Sequence, residues 1–327
     1  MRVLVTGASG FLGSHVAEVL AKEGHTVRAL VRKTSNRKHL LSLPRIELAE
    51  GSVEDGPSVR EAMRGVDRVI HAAALVKARS PEEFWRTNVQ GTLHLLDAAE
   101  AEGTIGRFVL VSSLAVCGPS NDGAPVPLDR EPAPLTQYGR TKLEAERAAL
   151  ARKDRLPVTV LRISAIYGPR DQEIFKMFQA VNRRVLPTIG RKESSYSVVY
   201  AEDAARACVQ ALSADVPSGS IYFVDDGQIQ RLGPMMQAIE DALGKKAWLR
   251  VNLPLPLVYA VAVGTELYGK LTNKAVMVTR EKVSEFRQPH WVCSSEATRR
   301  DIGWEPKVPF KEGARRTAEW YRAEGWL

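Results

Sequence analysis

The chain has 327 residues, 44% of them hydrophobic and 26% charged, enough apolar material for one large domain or two smaller ones and too little polar bias for a disordered chain. Its formal net charge of +8 is dispersed, with no basic stripe interleaved with aromatics, no helix-turn-helix and no zinc-finger signature, so nucleic acid is excluded as a partner. Three cysteines stand far apart, and no HExxH or CxxC cluster occurs, which excludes a disulfide scaffold and a protein-bound catalytic metal and fits a reducing cytoplasm.

The opening "MRVLVTGASG" runs directly into a strand-like pattern without the apolar core or cleavage site of an export signal; a cytoplasmic location is expected. "RVLVTG" reads as a strand, and "FLGSHVAEVLAKEG" as a helix closing on Gly24. Between them lie Gly7, Gly10 and Gly13. A tight turn, close approach of backbone N–H groups to a pyrophosphate, and tight packing of helix on strand all require glycine here. A dinucleotide is therefore the expected ligand, with Ser9, Phe11 and Leu12 between the glycines as further contacts.

The second strand, "HTVRALVR", ends in "RKTSNRK". An NAD site usually places a carboxylate there, whereas a 2′-phosphate calls for a cation. No carboxylate occurs between His25 and Arg45, while Arg32, Lys33, Arg37 and Lys38 are available. The expectation is NADP(H) rather than NAD(H), with Arg32 as the phosphate anchor; a solvated basic turn would explain the lysines but not the missing acid.

"RIELAEG", "DRVIHAA", "RFVLVSS" and "PVTVLRI" read as four more strands. Residues 81–103 carry Trp85, Val89, Leu93, Leu96 and Ala99 at three- and four-residue spacing, one apolar stripe on one helix. The pattern predicts an α/β fold: a doubly wound parallel sheet of the Rossmann type over residues 1–170, with 199–225 returning to it, and a smaller, irregular substrate-binding region over most of 171–327. In that region the apolar stretch from residue 253 is too short for a membrane span. It reads as a packed core helix or as one wall of an apolar pocket, with peripheral membrane contact as the remaining alternative.

One short motif carries chemistry. In "YGRTK", Tyr138 and Lys142 stand four positions apart, so a helix puts both on one face. They converge on a cleft or lie on a solvated surface; spacing leaves both open.

"TGASGFLG", "HAAA", "TNVQGT", "VSSLAVCG", "YGRTK" and "LRISAIYGPR" together resemble the extended short-chain dehydrogenase/reductase family, and the likeness spans nearly the whole chain. The resemblance implies a catalytic set of Ser113, Tyr138 and Lys142, with Tyr138 exchanging the proton as a carbonyl becomes an alcohol or the reverse, Ser113 bonded to the reacting oxygen, and Lys142 favouring the phenolate while holding the nicotinamide ribose. It further implies cofactor contacts at Ser52 and Val53, at Ala72, Ala73 and Ala74, at Val111, and at Ile163, Ala165 and Ile166. Tight sheet packing would explain the alanines equally well. The family also often forms homodimers.

Within the family, dehydratases commonly carry Asp-Glu where this chain has Leu114 and Ala115, and sugar-nucleotide relatives place an arginine where it has Tyr196 and Ser197, leaving Arg191 or Lys192 to grip a diphosphate. The ending "WVCSSEATRRDIGWEPKVPFKEGARRTAEWYRAEGWL" resembles the dihydroflavonol reductase and 3-beta-hydroxysteroid dehydrogenase branch. The expected activity is NADP-dependent reduction of an apolar ketone or aldehyde, or oxidation of the matching alcohol. A sugar-nucleotide epimerase and a non-catalytic cofactor-binding sensor are the alternatives.

Overall fold

A computed structural model describes the chain except residues 190–192 and 277. The six predicted strands form as β1 (Arg2–Thr6), β2 (Thr26–Val31), β3 (Ile46–Glu50), β4 (Arg68–His71), β5 (Arg107–Ser113) and β6 (Val158–Ile163). Ser220–Val224 adds a seventh, in the order Ser220–Val224, β6, β5, β4, β1, β2, β3. All neighbours run parallel. Continuous apolar runs suit this arrangement because both faces of such a sheet are covered by helices.

Side chains alternate across the sheet as strand geometry demands. Val3 and Val5 join Val16, Leu20, Ala204 and Cys208 beneath the helices Phe11–Lys22 and Ala201–Ser213. Leu4 points the other way, to Val59, Leu95, Leu96 and Phe108. The result is a doubly wound α/β fold.

Residues 81–103 depart from the single helix expected. An α-helical turn, Pro81–Phe84, runs into a π-helix, Trp85–Gln90, before the regular helix Gly91–Glu102 closes on Gly103 at φ +70°. Wide π turns rotate everything upstream relative to the rest of the helix. Val89, Leu96 and Ala99 therefore stay buried, while Trp85 swings out to 46% exposure.

A second core forms beyond residue 170, where Phe178, Ile239, Phe310 and Tyr321 gather around Tyr167. Gly313 permits this approach, since a Cβ there would lie 2.2 Å from the Tyr167 hydroxyl. The expectation of a packed core helix at the apolar stretch is overturned. In Leu255–Thr272, Val258, Ala262 and Gly269 are buried, while Leu257, Val261, Leu267, Tyr268 and Leu271 face outward. One narrow stripe seats the helix against Val283, so packing leaves most of its apolar surface unused.

Asp203 ties the C-terminal segment to the sheet. Buried in the first turn of Ala201–Ser213, its carboxylate accepts the N–H groups of Lys307 and Val308, both at 2.8 Å, and pairs with Arg206. Its backbone carbonyl accepts the indole N–H of the buried Trp304 at 3.0 Å. Asp203→Ala strands two backbone donors, each costing roughly 1–3 kcal/mol, and we expect a urea midpoint lowered accordingly while cofactor binding persists.

Candidate active site

Parallel strands bring all their carboxyl ends to one edge, where ligands of this architecture bind. Gly7 follows β1, Arg32 β2, Ser52 β3, Ala72 β4, and Ser113 and Ile163 end β5 and β6. The sheet turns outward in both directions from the β1–β4 pair, where Thr6 stands opposite His71.

Gly7 lies against the neighbouring loop at φ +72°; a Cβ on it would sit 2.8 Å from the Ala73 nitrogen. At Gly13 a Cβ would be 2.1 Å from the Gly7 carbonyl oxygen. Both positions exclude side chains. Gly10 is the N-cap of Phe11–Lys22, and no side chain caps it among the described residues, so the first N–H groups of that helix face the loop ready for an anion. Leu12 is buried while Ser9 and Phe11 are partly exposed. This cradle fits the pyrophosphate of a dinucleotide.

At the end of β2 the basic turn meets a carboxylate that local sequence conceals. Register places Glu50 of β3 opposite Val31, and Glu50 pairs with Arg37 at 3.0 Å and Lys33 at 3.8 Å. Arg37 also donates to the Arg32 carbonyl at 3.1 Å. Arg32 itself is exposed, and its side chain has no ion pair among the described residues. Ser52 uses its hydroxyl to accept the Glu54 N–H at 3.2 Å, and Val53 is buried against Gly91.

Ala72, Ala73 and Ala74 are partly exposed along the β4 loop, and a polar chain fixes them. The Ala73 N–H donates to Thr6 Oγ1 at 3.2 Å, which lies 2.7 Å from His71 Nδ1; His71 Nε2 lies 2.9 Å from Thr92 Oγ1, which donates to the Asn88 carbonyl at 2.6 Å. Since Thr92 spends its proton on that carbonyl, it accepts from His71, whose Nε2 carries the hydrogen. Burial pushes the His71 pKa down to about 3, so the ring stays neutral. Asn88 then grips Leu75 by both its N–H, at 2.7 Å, and its carbonyl, at 3.0 Å, and reaches Thr141 at 3.0 Å. One side chain in the π turn thus spans from the alanine loop to the helix of Tyr138.

That helix, Gln137–Leu150, starts at Thr136, whose hydroxyl accepts the Gly139 N–H at 3.2 Å. Gly139 lets it press on the turn after β5, because a Cβ there would meet the Ala115 oxygen at 2.8 Å. The approach brings Tyr138 close to Ser113, whose hydroxyl accepts the Ala115 N–H at 3.2 Å. Burial raises the Tyr138 pKa, and the neighbouring Ser113 hydroxyl opposes that rise. One turn on, the buried Lys142 donates to the Val111 carbonyl at 2.5 Å. Desolvation lowers its pKa to about 8, opposed by Glu146.

Tyr138, Lys142 and Glu146 follow at four-residue intervals, a pattern visible in the sequence but not singled out there. Glu146 forms a buried pair with Arg162 at 2.8 Å and accepts from Ser112. Two further carboxylates come from far along the chain. Glu281 accepts the Gln137 N–H at 2.8 Å, and Glu285 accepts from Thr136 at 3.3 Å. Both complement the positive end of the helix. Ile163 points into the core, Ala165 is exposed, and Ile166 is partly buried; between them the buried Ser164 hydroxyl has no partner among the described residues. Arg191 and Lys192 lie outside the described residues.

Glu146→Gln leaves the Arg162 charge buried without a counter-ion. We expect a loss of about 3–5 kcal/mol in urea unfolding.

A family model described as "NAD dependent epimerase/dehydratase family" matches residues 3–224. Among curated proteins, the ceramide reductase of Caulobacter vibrioides is 31% identical, over 99% of this chain and 96% of its own length. The 2-alkyl-3-oxoalkanoate reductase of Stenotrophomonas maltophilia is 31% identical, over 97% of this chain and 98% of its own. Among solved structures, a dTDP-glucose 4,6-dehydratase from Streptomyces venezuelae superposes with a TM-score of 0.82 at 25% identity, covering 100% of this chain and 99% of that one. The chain belongs to the NAD dependent epimerase/dehydratase family, and is an NAD(P)-dependent oxidoreductase of the extended short-chain dehydrogenase/reductase type.

Proposed function

We propose that this protein is an NADP-dependent reductase of an apolar ketone or aldehyde, working as a homodimer and also able to oxidise the matching alcohol. The observation that carries the reading is the helix Gln137–Leu150 that sets Tyr138 and the buried Lys142 one turn apart, beside the Ser113 end of β5. When bound, the nicotinamide cofactor supplies the hydride. Tyr138 gives its proton to the carbonyl oxygen as the alcohol forms, and Ser113 donates a hydrogen bond to the same oxygen. The Lys142 ammonium makes the phenolate left on Tyr138 less costly. Reductases among the relatives support the direction of the chemistry.

A dehydratase needs an acid and a base beside the serine. Leu114, buried, and Ala115 supply neither. A sugar-nucleotide epimerase needs a grip on a diphosphate, yet Ser197 is buried and spent on Asp225 and on the Cys293 carbonyl, at 3.2 and 3.1 Å. Preference for NADP rests on Arg32, which follows β2 directly and, like Lys38, has no ion-pair partner among the described residues, Glu50 being taken by Arg37 and Lys33.

Tyr138→Phe should keep NADPH binding while kcat against apolar carbonyl compounds falls by about 10²–10⁴-fold; unchanged turnover would remove Tyr138 as the proton donor, and NADPH binding without turnover in the unsubstituted protein would identify a sensor rather than an enzyme. Arg32→Ala should weaken NADPH by roughly 10–100-fold, a charge-assisted hydrogen bond, and leave NADH untouched. Tightly retained NAD in the purified protein would instead favour the epimerase. Lys142 is protonated below its pKa of about 8 and neutral above it, so kcat/KM for the cofactor should decline as pH rises through about 8, read from initial rates at limiting NADPH.

A further inference from the structure

We propose that the outward face of the helix Leu255–Thr272 docks this protein onto an anionic lipid surface, close to the entrance of the catalytic cleft. At 100° per residue, Leu257, Val261, Leu267, Tyr268 and Leu271, with the neighbouring Tyr259 and Val263, cover about 200° of the helix circumference. Leu267 is 58% exposed and Leu271 79%. Trp248, 77% exposed, stands just before the strand Leu249–Leu253 that feeds the helix. A continuous apolar face of this size marks an interaction site rather than scattered surface residues.

Length and charge select the occupant. Eighteen residues make a helix about 27 Å long, and among the described residues no helix is long and apolar enough to cross a membrane. Such a helix lies in the interfacial plane, with aromatic rings at headgroup level and cations around it. Arg184 and Lys246 are exposed at the approach to the helix, and Lys270 and Lys274 at its far end. None of the four has an ion-pair partner among the described residues. The acid on the helix, Glu266, is taken by Arg280 at 2.8 Å. Pairing of this face with a second copy about a twofold axis would set basic end against basic end in either direction, whereas anionic headgroups neutralise both.

The face is also coupled to the active site. Thr265 donates to the Val278 carbonyl, and Glu266 accepts the Arg280 N–H at 2.7 Å. Arg280 opens the short helix Arg280–Phe286, whose Glu281 and Glu285 hold the start of the Tyr138 helix.

The test is co-sedimentation of the full chain with vesicles of mixed phosphatidylglycerol and phosphatidylcholine, and with phosphatidylcholine alone, and it reads binding without turnover, so it stands or falls apart from the reductase reading. We expect binding to the mixed vesicles that weakens with added salt and is much weaker on phosphatidylcholine alone. Lys270→Gln and Lys274→Gln should each lower partitioning about fivefold, and Leu267→Glu with Leu271→Glu at least about tenfold per leucine. All are exposed substitutions, so an unchanged unfolding midpoint and retained NADPH binding confirm the fold. No binding to either vesicle, or equal binding by the leucine variant, overturns the proposal; so does light scattering showing a dimer that the leucine variant splits while vesicles bind nothing.

Discussion

Thr6 of β1 stands opposite His71 of β4, and the site is built outward from that pairing. Only when the two strands lie side by side does Gly7 meet the backbone of Ala72 and Ala73 closely enough to forbid a Cβ on Gly7. Parallel register then does the rest. Every other strand is added to one side or the other of this pair, and each contributes its carboxyl end to the same edge. The buried His71 ring converts this backbone arrangement into a hydrogen-bonded one, fixing the alanine loop through Thr6 and the Asn88 turn through Thr92. Its neutrality follows from burial. A charged ring there would carry a second proton on Nδ1, which is the acceptor Thr6 needs.

Along the helix Gln137–Leu150 three ionisable groups share one face, Tyr138 half-buried and Lys142 and Glu146 fully so, and their energetics oppose one another. Desolvation disfavours the charged forms of both Tyr138 and Lys142. Glu146 pulls the other way on Lys142, and Arg162 neutralises Glu146 in turn. Removing either Glu146 or Arg162 would leave the other's charge buried without a counter-ion, which is strongly destabilising. Toward the start of the helix, Glu281 accepts the Gln137 N–H and Glu285 accepts from the Thr136 hydroxyl, so Tyr138 sits on an element held at its N-terminus by hydrogen bonds and farther along by the Glu146–Arg162 pair.

The region beyond residue 170 is organised differently. There the second core around Tyr167 and Tyr321 is well packed, yet the most apolar helix of the region turns its surface to solvent. The buried stripe of Val258, Ala262 and Gly269 is all that packing requires. Hydrophobicity beyond that stripe is not accounted for by packing, and the exposed face lies one short helix away from Thr136 and Gln137.

Periodicity and glycine placement in the sequence determined the parallel sheet, the phosphate-binding loop and the shared helical face of Tyr138 and Lys142, because each depends on neighbours within a few residues. The π turn at Trp85–Gln90 escaped that reading: its apolar spacing matches a regular helix, and the extra residue is favoured by what Asn88 binds across space, at Leu75 and Thr141. Glu50, Glu281 and Glu285 were likewise hidden. Nothing local distinguishes them from ordinary surface acids; register alone carries Glu50 to the basic turn, and a separation of 144 residues lies between Glu281 and the Gln137 it caps. The fate of Leu255–Thr272 was decided at the same level, since an apolar helix reads the same whether its surface is buried or left open, and only the packing of the whole chain determines which side has neighbours.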